Sequence, residues 1–380
     1  MENYWSTVIL VFLLAAVPPS FQQDLTPYCR GYKWIVIDCG AANTFYDGSI
    51  GKTWETDDSY IQAGEKKLVS ISTIRDEMKT LRCFPSGPKN CYNLPLENHS
   101  NYLFVPVFCM ETMTTFKSRQ HLALSNDTIY HEFIFTTGKK GHVNVCLIQT
   151  QANQIPFISS LEAAPVEETT YRLMTKNMAL YFESRINYGA NQSVPERLPL
   201  CVDLYSRIWK PEQVSRYRNI DDFIGWTWLV AENYPPSAVL ETAIVANNAS
   251  ESIFLPINFR EKYQVLAYFV LYFDASTVHP FMEESETTKL DIFVDGQLVN
   301  ITQFPIMDSR LVVSVCPVNV TGGTANLTIS VAEGATTPPF LNGLEVFSVI
   351  GVSKAVRSST DLSVFKTFFG LVMFSLYVVL

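Results

Sequence analysis

Apolar and polar side chains alternate at several places along this chain, the signature of strands with one face in a core. Val143, Val145 and Leu147 share one face, and a polar loop then leads into Pro156-Phe157-Ile158-Ser159-Ser160-Leu161-Glu162. The same layout returns later: Leu327, Ile329 and Val331 alternate, a glycine-containing loop follows, and Pro339-Phe340-Leu341-Asn342-Gly343-Leu344-Glu345 closes it. Such an echo has to be resolved before a fold is assigned. Two more pairs occur in the same order. Trp34 to Gly40 reads as a strand ending in a turn, answered by Tyr181 to Gly189, and the β-prone run Tyr102 to Phe108 is answered by Tyr263 to Phe273.

Elsewhere Leu290 to Val294 alternates, Asp295-Gly296 is a two-residue hairpin signal, and Leu298 to Ile301 returns. Helical spacing is confined to short stretches near Val69–Met78 and Pro235–Ile244. Many short strands with Pro- and Gly-rich turns predict an all-β chain of antiparallel sandwiches. The repeat divides it into two related domains, 30–165 and 181–352, joined by a connector at 166–180. The connector has no Gly or Pro run, so the domains are expected to pack closely.

Composition narrows the function. At 380 residues the chain has room for two domains of about 150 residues each. A net charge of −9 argues against a protein that tracks nucleic-acid phosphates. Val8 to Val17 is an unbroken apolar run followed by Pro18 and Pro19, so residues 1–23 read as a signal peptide. Export agrees with seven Asn-x-Ser/Thr sequons, at Asn98, Asn126, Asn191, Asn248, Asn300, Asn319 and Asn326. The cysteines (Cys29, Cys39, Cys83, Cys91, Cys109, Cys146, Cys201 and Cys316) contain no metal-binding spacing. Their even number in an exported chain favours disulfides throughout and leaves the pairing open.

Ile37-Asp38-Cys39-Gly40, Leu81-Arg82-Cys83-Phe84-Pro85, Asn90-Cys91-Tyr92 and the two Pro-Phe segments carry a family likeness. With Arg207-Ile208-Trp209, Tyr234-Pro235-Pro236 and Ala238-Val239, the chain resembles the malectin-like ectodomain of plant receptor-like kinases. The resemblance spans roughly residues 30 to 350. It implies two tandem malectin-like β-sandwich (jelly-roll-like) domains on the outer face of a plasma membrane. It also implies that Cys39, Cys91 and Cys146 occupy family cysteine positions. Val105 to Thr114 departs from the family pattern, as do Cys83 and Cys109. Leucine-rich repeats and the sequence signatures of a kinase are absent from these residues.

No catalytic constellation emerges. The five histidines are scattered, and neither a nucleophile elbow nor a phosphate loop occurs, so neither cofactor nor metal is expected. Glu162 and Glu345 stand at equivalent places, but a strand residue repeated with its fold explains them better than an acid–base pair. Asp57-Asp58 and Glu283-Glu284 read as solvated acidic loops. Carbohydrate recognition needs aromatic faces beside Asp or Asn, and Tyr46, Asp47, Trp54 and Tyr60 offer that mixture. The alternative is that Tyr46 and Trp54 cap their own core. Tyr272, Phe273 and Asp274 in the second copy have a stronger core character.

At the C-terminus, 353–380 reads as a membrane-attachment signal. Small residues including Ser358 and Ser359, a spacer, and the apolar run Phe368 to Leu380 match a glycosylphosphatidylinositol signal, with a single spanning helix as the rival. The functional expectation is a non-catalytic extracellular module for a cell-wall glycan or a peptide ligand, possible as a co-receptor of a full-length receptor kinase. The alternative is a structural or vestigial receptor fragment with no ligand of its own.

Overall fold

The first half of the chain forms β1 Ile35–Asp38, β2 Phe45–Asp47, β3 Lys52–Thr56, β4 Glu65–Leu68, β5 Thr80–Cys83, β6 Lys89–Leu94, β7 Asn101–Cys109, β8 Thr128–Tyr130, β9 Phe133–Thr136, β10 Val143–Gln149, β11 Phe157–Ile158 and β12 Ser160–Val166. The second half forms β13 Met178–Tyr188, β14 Lys210–Glu212, β15 Arg218–Asp221, β16 Thr242–Val245, β17 Ile253–Asn258, β18 Gln264–Asp274, β19 Lys289–Val294, β20 Gln297–Gln303, β21 Arg310–Thr321, β22 Thr324–Val331, β23 Phe340–Leu341, β24 Gly343–Gly351 and β25 Phe374–Val379. The structure is a computed structural model, and it describes residues 33–69, 75–109, 128–139, 141–149, 155–192, 197–200, 202–221, 231–278, 288–304, 309–351 and 374–379.

Every strand anticipated from alternation is present, and among the described residues helix is confined to single turns such as α1 Ser237–Leu240 and α2 Ala275–Val278. Asp295 and Gly296 have φ of 48° and 76°, the paired left-handed residues that a tight hairpin between β19 and β20 requires. The leader 1–23, Cys29, Cys201, Asn126, Ser358 and Ser359 lie outside the described residues, as do the side chains of Cys109 and β25. The β25 backbone pairs antiparallel with β10. No helix among the described residues is long and apolar enough to cross a membrane.

The two halves are built alike down to single hydrogen bonds. In the large sheet the order β3-β1-β12-β7-β9 is matched by β14-β13-β24-β18-β21. At the end of the first strand of each half, the Cys39 N–H donates to the Ser159 carbonyl and the Tyr188 N–H to that of Asn342, each at 2.8 Å. Gly40 and Gly189 follow with φ of +87° and +82°. A Cβ on either would strike backbone, the Leu81 carbonyl for Gly40 and that of Ala243 for Gly189. Both the left-handed turn and the close approach therefore demand glycine.

The sheet does not stop between the halves. Ala179–Tyr181 of β13 pairs with β9, while Ile186–Tyr188 of the same strand pairs with β14. Residues from Lys33 onward form one compact unit. Each half packs the inner face of the large sheet against a smaller sheet. Phe104, Phe133, Leu161 and Ala163 meet Tyr92, Leu94, Val143 and Val145 in the first half. Phe269, Leu271, Leu344 and Val346 meet Ile253, Ile292, Leu327 and Ile329 in the second. The connector is anchored by Tyr171, buried at 1% exposure.

Cys91 and Cys146 face each other across β6 and β10 and are disulfide-bonded. The expectation of pairing throughout is not met at Cys39, Cys83 and Cys316, which carry free thiols. Burial accounts for the first two: Cys39 and Cys83 sit inside separate apolar clusters as small hydrophobes.

The repeat also makes a pH prediction. The Thr80 hydroxyl donates to Asp38 at 2.5 Å, and at the equivalent position the Thr242 hydroxyl donates to Asn187 at 2.6 Å. Burial pushes the Asp38 carboxyl up, the Thr80 bond opposes it, and the carboxylates of Glu77, Asp57 and Asp76 push it further, to about 7. A carboxyl raised on folding contributes stability at low pH that is lost as pH rises through that value. Asp38→Asn should therefore gain stability over the parent between pH 5 and 8, with a Tm advantage of roughly 2–8 °C at pH 8. An equal Tm difference at both pH values in a thermal melt would contradict the assignment.

Candidate functional site

The repeated glutamates are each enclosed by two cations. Glu162 on β12 and Glu345 on β24 are both buried, at 1% and 0% exposure. Each takes a cation that precedes a buried tryptophan by one intervening residue: Lys52 before Trp54, and Arg207 before Trp209. A second cation, an arginine in both sets, completes each one, with Arg197 at 2.7 Å from Glu162 and Arg185 at 2.9 Å from Glu345. Tyr171 and Tyr272 donate hydroxyl protons to Glu345 at 2.8 and 2.7 Å.

Two of these pairs cross between the halves. Arg197 reaches back to Glu162, and Arg185 is also bonded to Glu132, which lies between β8 and β9, at 2.5 and 2.9 Å. Burial by itself would raise the Glu162 carboxyl, but Arg197 and Lys52 outweigh it and hold it down at about 2. Glu345 is likewise lowered: Arg185, Arg207 and the two tyrosine hydroxyls overcome burial. Carboxylates that are ionised, enclosed and fully bonded are structural ion pairs. They have no proton to give and no open side for a substrate.

The aromatic edge proposed from sequence is only partly assembled. Trp54 is fully buried, at 0% exposure, and packs with Val36, Ile50 and Phe45, so it cannot stack on a sugar. The alternation of β3, which puts Lys52 and Trp54 inward and Thr53 and Glu55 outward, is the cause. Tyr46, by contrast, is 67% exposed. Asp47 is half-buried and accepts bonds from the Ser49 amide and hydroxyl at 2.9 and 2.6 Å, shaping its own turn. The Tyr60 hydroxyl donates to Glu55 at 2.9 Å. Tyr272, Phe273 and Asp274 are core residues.

Asp57 corrects the reading of an acidic solvated loop. It is fully buried, accepts Arg82 Nε and Nη2 at 2.6 Å each, and accepts the Tyr92 hydroxyl at 3.0 Å. Arg82, Arg185 and Arg207 are the residues whose roles the sequence reading did not assign. The arginines within Leu81-Arg82-Cys83 and Arg207-Ile208-Trp209 were the available signal.

A shallow cavity of about 260 Å³ opens beside Arg172, Ala231, Glu232 and Arg310 to Val312. It falls below the roughly 300–1,000 Å³ of small-molecule sites. Among the described residues, no group of three or more His, Cys, Asp or Glu is placed to hold a metal ion.

The ion pairs make a stability prediction. Glu162→Gln strands Lys52 and Arg197 and should cost about 3–5 kcal/mol at neutral pH. Because the Glu162 carboxyl is depressed on folding, its stabilisation is present above its usual value of 4.5 and is lost as pH falls towards about 2. The difference between parent and variant in urea unfolding should shrink over that window, and a difference independent of pH would contradict the pairing.

The comparisons with known proteins agree with this architecture. The chain is 25% identical to Receptor-like protein kinase At5g59670 of Arabidopsis thaliana over 96% of its own length and 43% of that protein's. It is 27% identical to the probable LRR receptor-like serine/threonine-protein kinase At5g59680 of the same plant, covering 88% of this chain and 39% of that protein. It thus spans less than half the length of these curated relatives. Among solved structures, the ANX2 ectodomain from Arabidopsis thaliana superposes with a TM-score of 0.64 at 15% identity, covering 83% of this chain and 97% of that one. The plant peptide RALF23 in complex with FER and LLG2 includes a chain that superposes with a TM-score of 0.62 at 14% identity, covering 83% and 95%. The malectin-like domain profile matches residues 37–349, and the chain belongs to the malectin-like domain family.

Proposed function

We propose that this chain is a non-catalytic, extracellular ligand-binding module of two tandem malectin-like domains, and that its ligand is a peptide or protein held on its surface. The burial of Trp54 carries the choice of ligand. It removes the one tryptophan platform on the candidate sugar-binding edge. A rigid sheet with exposed loops is well suited to contacts spread over a surface. A structural neighbour solved as a complex of the peptide RALF23 with FER and LLG2 supports a peptide of that type.

On this reading the chain works beside a receptor kinase as a co-receptor. It sits on the outer face of the plasma membrane. The five described sequon asparagines that are exposed, Asn98, Asn191, Asn248, Asn319 and Asn326, are compatible with a glycosylated surface.

The secreted ectodomain should bind the plant peptide RALF23, or a peptide of that type, with micromolar affinity or better in calorimetry. Pectin-derived oligosaccharides should produce no heat at millimolar concentration. The reverse outcome would replace the peptide reading with the glycan one, and Tyr46→Ala then tests the remaining aromatic edge. That substitution should leave stability within about 0.5 kcal/mol, as expected for an exposed residue.

A further inference from the structure

The outer face of the four-stranded sheet β17-β22-β19-β20 carries the exposed apolar side chains Phe254, Leu298 and Ile301. Ile253, Leu255, Ile257, Leu290, Ile292, Val294, Ala325, Leu327 and Ile329 all point into the core, so the residues between them point out. Across the face runs one row. Phe254 is opposite Thr328, Thr328 opposite Phe293, and Phe293 opposite Leu298. Phe254 and Leu298 are 51% and 50% exposed. The Arg216 guanidinium lies 5.5 Å from the Phe254 ring centre and covers only part of it. Water-facing apolar rows of this kind in soluble domains mark something that covers them.

The sequon Asn326-Leu327-Thr328 stands on this same face. Asn326 is exposed, opposite Pro256, and its threonine is a member of the row. Residues separated by one position along a strand are about 7 Å apart, and facing residues on adjacent strands about 5 Å. The first sugars of a glycan on Asn326 therefore reach Phe254 and Phe293 without spanning a gap. The asparagine is also held in place: Asp295 accepts its backbone N–H at 2.8 Å and its side-chain amide at 3.1 Å. Glycosylation leaves one amide proton, so this bond can persist. The pattern recurs on the other sheet, where Leu266, 42% exposed, is directly opposite the sequon residue Asn319.

We infer that an N-linked glycan on Asn326 lies over the Phe254–Phe293–Leu298 row and is the cover of this face. The inference rests on the extracellular reading above. The covalent step is oligosaccharide transfer from a lipid diphosphate donor. The bond from the sugar's anomeric carbon to the diphosphate breaks, that carbon bonds to Asn326 Nδ2, the amide loses one proton, and the lipid diphosphate leaves. Once attached, the sugar's C–H face and N-acetyl methyl meet the aromatic rings at the high local concentration that a covalent tether provides. The occupant follows from where the sequon stands: a tethered sugar is always present on this face, whereas a partner has to displace it.

The test uses the full chain secreted from plant cells. Glycopeptide mass spectrometry should find Asn326 occupied. Asn326→Gln should lower Tm by roughly 2–4 °C and raise binding of an apolar fluorescent dye. Phe254→Ser should remove most of that sensitivity, so the two changes together cost less than their sum. If Asn326→Gln is not secreted, enzymatic deglycosylation of the folded parent and of Phe254→Ser gives the same comparison. Additive effects would overturn the inference. So would an empty Asn326 beside occupied Asn98 and Asn248, a result that leaves the extracellular reading standing. A chain with no sequon occupied would overturn both. Concentration-dependent dimerisation of the fully glycosylated parent that Phe254→Ser abolishes would assign the face to a second copy instead.

Discussion

Two carboxylates without water organise this molecule. Glu162 and Glu345 are ionised inside sheets where an unpaired charge would cost several kcal/mol, so each has to be met by cations and hydroxyls. Lys52 of β3 and Arg207, in the segment before β14, supply one cation apiece. The second cation of Glu162, Arg197, comes from the other half, and the second cation of Glu345, Arg185, is shared with Glu132 of the first half. Satisfying two buried charges thereby ties the halves together.

The backbone makes the same connection. Because β13 pairs with β9 at one end and β14 at the other, the large sheet runs through the join, and the two halves lack the thin, polar interface that permits hinge motion. The buried connector residue Tyr171 adds its hydroxyl to Glu345. A scaffold braced this way offers its surface and loops to a partner with little reorganisation, which favours affinity through preorganisation rather than closure around a ligand. It also leaves the repeated glutamates, the residues closest in appearance to a catalytic pair, enclosed in structural ion pairs.

Particular residues show what could be read in advance. The β-class, the strands and the repeat were legible because alternation has a fixed period and because Asp295-Gly296 adopts the turn its composition demands. Gly40 and Gly189 were visible as matched strand ends, although the reason for them, a carbonyl oxygen where a Cβ would be, needed the fold. At Trp54 the structure decides for the core over the sugar platform, and Asp57, expected to be solvated, is buried. Both lie in a stretch whose polar neighbours look exposed, yet the alternation of β3 turns Trp54 into the core, and Arg82 and Tyr92 enclose Asp57.

The sequence by itself determined the period of its side chains, the places where only glycine serves, and the likeness between its halves, since these depend on local geometry and on residues near one another in the chain. The tertiary structure decided which charges are buried, which arginine meets which carboxylate, and which aromatics face water. Arg185 and Glu345 are far apart in sequence and 2.9 Å apart in space, and the cost or benefit of a charge depends on its surroundings in the fold, which no local pattern encodes.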